Sequence, residues 1–312
     1  MARLGAARKD ARSAGKRKRR FRFEPGETPK RGVTRVARNE LDLAIGLLEA
    51  APNGDGGAEA IHEARKSLKR LRALLRVSRP ALDERRYRRE NSAFRDAGRG
   101  LSEARDAQVL LQTLDSLTER FSDELAPGTW TRLREDLAAR AERTQANGAR
   151  GFDDVLEVLT KAQRRVSHWP LPSQNGRASL AEGFDGIYRR GRQALRRARA
   201  KPTPENLHEL RKRAKDLWHA AQLLEPACPG RMKRVSRRAH RLANLLGDDH
   251  DLSVLLEYGD RHPKLLSKTE HGLLEKLVDR RRRKLRPRAF KCADSVYGRK
   301  PKRMLRRLAL AT

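Results

Sequence analysis

IHEARKSLKRLRALLR, residues 61–76, carries two periodicities in one segment. Ile61, Ala64, Leu68, Leu71 and Leu75 step by three, four, three and four residues, which is one apolar face of an α-helix. One position further on, His62, Arg65, Lys69, Arg72 and Arg76 repeat the same steps. A shift of one residue is about 100° around a helix, so a cationic stripe borders the face that must be buried. Lys66 and Arg70 widen it, and Glu63 is the only acid between residues 60 and 79. A solvated face held by intrahelical ion pairs needs carboxylates at the i+4 positions, and too few are present. The stripe reads as a surface for a polyanion, where guanidinium groups grip phosphate oxygens in a fork and Lys acts as a point charge.

The segment recurs. LHELRKRAKDLWHAAQ, residues 207–222, repeats it with His62 answered by His208, a displacement of 146 residues. LSEARDAQVLL (101–111) aligns with LGDDHDLSVLL (246–256), where Arg105 is matched by His250 at a displacement of 145. Two matches at nearly one displacement mark an internal duplication, with a period too long for a solenoid. Each half is expected to be a four-helix unit, the two related by a pseudo-two-fold axis that turns both stripes into one groove. The second stripe holds His208, Arg211 and Lys215, flanked by Lys212 and Arg213. Its lower end is less basic, because Asp216 stands at the position of Arg70 and Trp218 at that of Arg72. The third helix of each half adds Arg95, Arg99 and Arg105 in the first copy and His240, Arg241 and His250 in the second. Asp106 and Asp251, beside the last pair, are expected to hold a basic neighbour or cap a turn. Packed among cations, a neutral imidazole offers an N–H to a phosphate oxygen, and a bound polyanion favours its protonation. Binding should therefore tighten as pH falls towards the ordinary histidine range.

Outward from these segments the helical signal is almost unbroken. Helices are predicted over about 33–50, 58–79, 83–121 with a bend near Gly98–Gly100, and from Pro127-Gly128 to His168 with an interruption near 148–151. WPLPSQNGR, residues 169–177, divides the halves, and helices resume over about 178–200, 205–225, 231–260 and 267–286. No stretch alternates as a strand does, so the fold class is all-α, arranged as two tandem pseudo-symmetric four-helix bundles. Residues 1–20 read as a disordered basic arm, 21–168 and 177–290 as the two halves, and 291–312 as a basic tail.

Composition narrows the partner. Of 312 residues, 73 are Lys or Arg and 40 are Asp or Glu, a formal net charge of +33 that repels itself unless a polyanion is bound. Aromatic residues make up only 4%, too few for the base stacking that single-strand nucleic-acid binders use. That makes nucleic acid the weaker alternative, bound non-specifically if at all. Cys228 and Cys292 form no disulfide framework or metal cluster, the N-terminus has no apolar signal core, and no stretch approaches a membrane span. A cytoplasmic protein without cofactor is the expectation. Enzymatic chemistry lacks a phosphate loop and a nucleophile–base pair, and consecutive Asp248, Asp249, His250 and Asp251 cannot converge on a metal from one helix. The run Arg280–Lys284 reads as decoration of the last helix rather than a membrane anchor.

The paired segments His62-Arg65-Lys69 and His208-Arg211-Lys215 resemble the signature of the CHAD domain, the conserved histidine α-helical domain. Ala104-Arg105-Asp106 and Leu246–Asp251 resemble its second motif, and the resemblance spans about residues 21–290. It implies two four-helix bundles around a basic groove or pore, specific binding of long-chain inorganic polyphosphate, association with polyphosphate granules and no catalysis by the domain. Many such proteins carry a CYTH triphosphatase domain, whose acidic tunnel pattern is not expected here. Asp216 and Trp218 depart from the pattern and put the lower groove of the second half in doubt as a phosphate contact.

Overall fold

The helix decided by residues 61–76 runs from Gly57 to Ser78 and buries the predicted face, with Ile61, Ala64, Leu68, Leu71 and Leu75 all inaccessible to solvent. The computed structural model describes residues 21–51, 57–101, 103–147, 152–169, 176–301 and 304, and the basic arm over 1–20 lies outside them. Ten α-helices are present among these residues and no strand. The first copy contributes α1 (Pro29–Ala50), α2 (Gly57–Ser78), α3 (Glu84–Gly100), α4 (Glu103–Arg120), α5 (Thr131–Asn147) and α6 (Asp153–Val166). The second contributes α7 (Gly176–Ala200), α8 (Pro204–Leu223), α9 (Pro229–Arg261) and α10 (Lys268–Tyr297).

Local chemistry sets several of these limits. Thr28, Asp83, Thr203 and Ser267 each accept a backbone N–H at a helix start, and Ser267 with Glu270 completes a capping box. The single helix predicted over 83–121 is two. α3 ends in the Gly98–Gly100 stretch at Leu101, whose N–H turns back to the Arg99 carbonyl. The second copy has no such glycines, and α9 runs unbroken for 33 residues. The last helix, predicted to stop at 286 before Pro287, continues as α10 through Pro287 to Tyr297. A proline inside a helix costs about 3 kcal/mol. Burial of Ala289, Ala293, Val296 and Tyr297 beyond it offsets that cost, so the helix carries one apolar face on into the core.

The buried side chains form two clusters, and both cross the boundary between the copies. The larger joins α1, α2, α3 and α6 with α7, α8, the first half of α9 and the end of α10. The smaller joins α4 and α5 with the second half of α9 and the first half of α10. α2 packs against both α7 and α8, so the duplicated helices meet at the centre of the molecule. The α2–α7 approach is close enough to require glycine. A Cβ on Gly183 would lie 1.8 Å from the Val77 carbonyl oxygen. Gly183→Ala is expected to destabilise the fold by about 1–3 kcal/mol through overpacking. Denaturant unfolding measures this, and an unchanged midpoint would show the approach to be looser than described.

Candidate functional site

α2 and α8 are in contact, and part of the stripe one residue beyond the buried face of each lines a hollow. Arg65 and Lys69 enter from α2, and His208, Arg211 and Lys215 from α8. His250, Asp251 and Val254 come from α9, with Val109 and Leu110 from α4 closing an apolar wall. The cavity is about 420 Å³. Four permanent cations thus face one carboxylate. That carboxylate, Asp251, sits 3.6 Å from Arg211 Nη1 and steadies the guanidinium without cancelling the field. Gly247 makes room for it: a Cβ there would lie 3.3 Å from Arg211 Nη2. Arg211 Nε is buried with no hydrogen-bond partner among the described residues.

The two histidines of the hollow stand together. The rings of His208 and His250 are 4.3 Å apart between centroids and tilted by 47°. Burial, then the neighbouring His250 and the cations Lys212, Arg211 and Lys215, push His208 down to about 4. Burial, then Arg211 and Lys215, push His250 down to about 4, against a small opposing pull from Asp249. Both rings are uncharged at neutral pH. His208 Nδ1 is buried without a hydrogen-bond partner among the described residues. Near them His240 is stacked on Trp218 at 4.0 Å, and Trp218 on His219 at 4.5 Å. Burial and then Lys215 lower the pKa of His240, which is not part of the described lining of the hollow.

The remaining expected residues scatter. Lys66 is held by Glu63 at 2.6 Å and Lys212 by Glu209 at 2.7 Å, the same i,i−3 pair in both copies. His62 lies 4.0 Å from Glu63 and is not part of the described lining of the hollow. Arg72 is half-buried and donates from Nε to Asn91, and burial with Arg76 nearby lowers its pKa to about 10. Arg95 and Arg99 surround Asp96 on the outer side of α3, and Arg241 is exposed. These residues do not join the described lining. Arg105 begins α4 with its side chain outside the described residues. Asp216 is buried between Arg76 of α2 and Arg213 of α8, 3.0 Å from each. It is a tie between copies, not a gap in the groove.

Sequence reasoning missed the apolar wall of Val109, Leu110 and Val254, and it missed an annex. A second hollow of about 390 Å³ shares Val109 and Asp251 with the first and adds Gln112, Thr113, Ser116, Leu117, Arg120, Asp248, Leu252 and Arg281. Nothing in their spacing marks these positions. Arg281 belongs to the run Arg280–Lys284 that reads in sequence as surface decoration; Arg283 and Lys284 are exposed, whereas Arg280, Arg281 and Arg282 are partly buried. Arg280 pairs with Glu124, while Arg282 and Arg286 reach Asp249 at 3.4 and 2.9 Å. Asp249 therefore faces α10 while His250 and Asp251 face the groove. Among the described residues no three His, Cys, Asp or Glu side chains converge to hold a metal, and no helix is long and apolar enough to cross a membrane.

An all-helical protein in which two copies of a basic helix meet over one cationic, histidine-bearing hollow is the class that fold and site define. The chain belongs to the CHAD domain family, whose model matches residues 41–259, a range containing both copies of the motif. It is similar to two Mycobacterium tuberculosis proteins, MT2285 of strain CDC 1551 and Rv2226 of strain H37Rv, both described as uncharacterized. It is 28% identical to each over 75% of its own length, and it covers 47% of theirs, about half.

Proposed function

We propose that the central hollow binds inorganic polyphosphate without turning it over. The observation that carries this reading is the convergence of Arg65 and Lys69 from one copy with Arg211 and Lys215 from the other on a single cavity. A flexible chain with one negative charge per phosphate fits such a ring of cations. Its oxygens also answer the orphaned Nε of Arg211. Membership of the CHAD family is consistent with polyphosphate as the ligand. The lining contains no Phe, Tyr or Trp on which a nucleobase could stack, which favours polyphosphate over single-stranded nucleic acid. Binding of this kind would place the protein on polyphosphate granules.

Titration with long-chain polyphosphate, DNA and pyrophosphate at matched salt tests the reading. Polyphosphate is expected to displace DNA at equal phosphate concentration, with affinity falling linearly in log salt. Displacement in the opposite direction would favour the nucleic-acid alternative, and release of orthophosphate would end the non-catalytic one.

The histidine pair sets the pH dependence. In the unliganded protein His208 and His250 take up protons only near pH 4. Phosphate oxygens beside them raise that value, so binding is linked to proton uptake. Affinity is expected to be level at alkaline pH, to rise as pH falls through the raised value, and to level again near 4. The window thus lies lower than the ordinary histidine range read from sequence. By linkage, a ligand that raises a ring's proton affinity about tenfold is itself bound about tenfold more tightly by the protonated form. With each ring raised about tenfold from about 4, one ring makes binding at pH 5 about twofold tighter than at pH 8 and the two together about threefold, the rest of the gain arriving as pH falls to 4 and below. The gain should vanish in a His208→Gln, His250→Gln variant, and a flat wild-type profile would remove the histidines from the account.

A further inference from the structure

The annex differs in chemistry from the groove beside it, with which it shares Val109 and Asp251. The groove sets four cations against Asp251; the annex sets Arg120 and Arg281 against Asp248 and Asp251 and so carries no net charge. In place of further cations it offers the neutral hydrogen-bonding groups of Gln112, Thr113 and Ser116. The Thr113 hydroxyl donates to the Val109 carbonyl at 2.7 Å, which leaves its lone pairs to accept from a ligand. Gln112 and Ser116 are exposed to solvent. Val109, Leu117 and Leu252 supply an apolar strip between these polar groups. A phosphate chain continuing past Asp251 would leave the cationic field and meet a second carboxylate with no gain in charge pairing. An uncharged head rich in hydroxyls would find acceptors in Asp248 and Thr113 and both donor and acceptor in Gln112 and Ser116. At about 390 Å³ the annex is large enough for such a group.

We propose that the two adjacent hollows together accept an organic ester of a polyphosphate chain, with the phosphates in the groove, the chain passing Asp251, and a hydroxyl-bearing head, such as the ribose of a nucleoside polyphosphate, in the annex. The inference rests on the groove being the phosphate site. It names a ligand class that the groove alone does not select. No aromatic side chain lines the annex, so the head is held by its hydroxyls and not by stacking of a base.

Calorimetric titration in EDTA, at fixed ionic strength, compares tripolyphosphate with adenosine and uridine 5′-triphosphates. Both nucleotides are expected to bind about tenfold more tightly than tripolyphosphate, the worth of one or two net hydrogen bonds, although each carries less charge. In the double variant Asp248→Leu, Gln112→Leu the preference should fall to within about twofold, with tripolyphosphate binding retained. Equal binding of all three by the wild type, or a preference that survives both substitutions, overturns the head site and leaves the groove untouched. If no phosphate compound binds, long-chain polyphosphate included, the groove itself fails and takes this inference with it.

Discussion

A protein carrying Arg65→Glu and Arg211→Glu together should lose at least about 1000-fold in affinity for long-chain polyphosphate at physiological salt. Arg65 and Arg211 come from α2 and α8 and line the same cavity, so the pair tests whether the two copies act on one ligand. On the proposed reading each arginine would make a charge-assisted contact worth about 1.5–3 kcal/mol, and two such losses alone reach two to four decades. Reversal adds repulsion. With four cations and Asp251 in the wild-type hollow, the double variant leaves two cations against three carboxylates, and the sign of the local field changes. A control pair, Arg88→Glu with Arg197→Glu, makes the same change in net charge at exposed positions outside the lining. It should cost less than about tenfold, because exposed charges act on the ligand only through a screened field. Equal losses in the two double variants would mean that net charge, not the hollow, captures the polymer. Titration of both proteins against one polyphosphate preparation, with unfolding midpoints measured alongside, decides between these.

The site is partly legible in sequence because one physical rule controls it. A stripe displaced by one residue from a buried face must border that face, so burying Leu68, Leu71, Leu210 and Ala214 leaves Lys69, Arg211 and Lys215 at the edge of the buried faces, where they line the hollow. The family resemblance rests on the same residues. What sequence does not resolve depends on side-chain direction and on the path of the chain. Lys66 and Lys212 share the cationic side of their helices but fold back on Glu63 and Glu209, three residues earlier, a spacing that a count of i+4 partners passes over. Asp96 lies between Arg95 and Arg99 and engages both on the outer surface. The boundary at residues 169–177 separates two copies of a sequence, but apolar burial follows helix contact, and both clusters draw on both copies. Pro287 reads as a stop because local backbone preference opposes helix there, and tertiary burial of Ala289 to Tyr297 overrides it. Arg120 and Arg281 are brought together by the smaller cluster, whose helices are distant in sequence, and no local pattern encodes that meeting.

Replacing Asp216 by Asn should destabilise the protein by about 3–5 kcal/mol, because it removes a buried carboxylate that ties α2 to α8. The Asp216 side chain is 11% exposed and receives Arg76 Nη1 and Arg213 Nη1, each at 3.0 Å. Arg213 keeps a second partner in Glu209, whereas among the described residues Asp216 is the carboxylate in ion-pair contact with Arg76. Arg72 and Arg190 stand within electrostatic reach of the same group, and burial together with neighbouring guanidinium groups lowers the pKa of both. Four arginines would then crowd one half-buried region with Glu209 alone beside them. At the size of this chain the loss corresponds to a fall in Tm of roughly 5–8 °C. Since the repulsion left behind is between charges that water partly reaches, raising salt from about 0.1 to about 0.5 M should narrow the difference. The double variant Arg76→Leu, Asp216→Leu removes both partners of the pair. It should recover at least about half of the loss, as replacing a whole buried pair with apolar groups does. A single variant within about 1 kcal/mol of wild type, a difference of the size expected for an exposed pair, would show that Asp216 does not hold the two copies together.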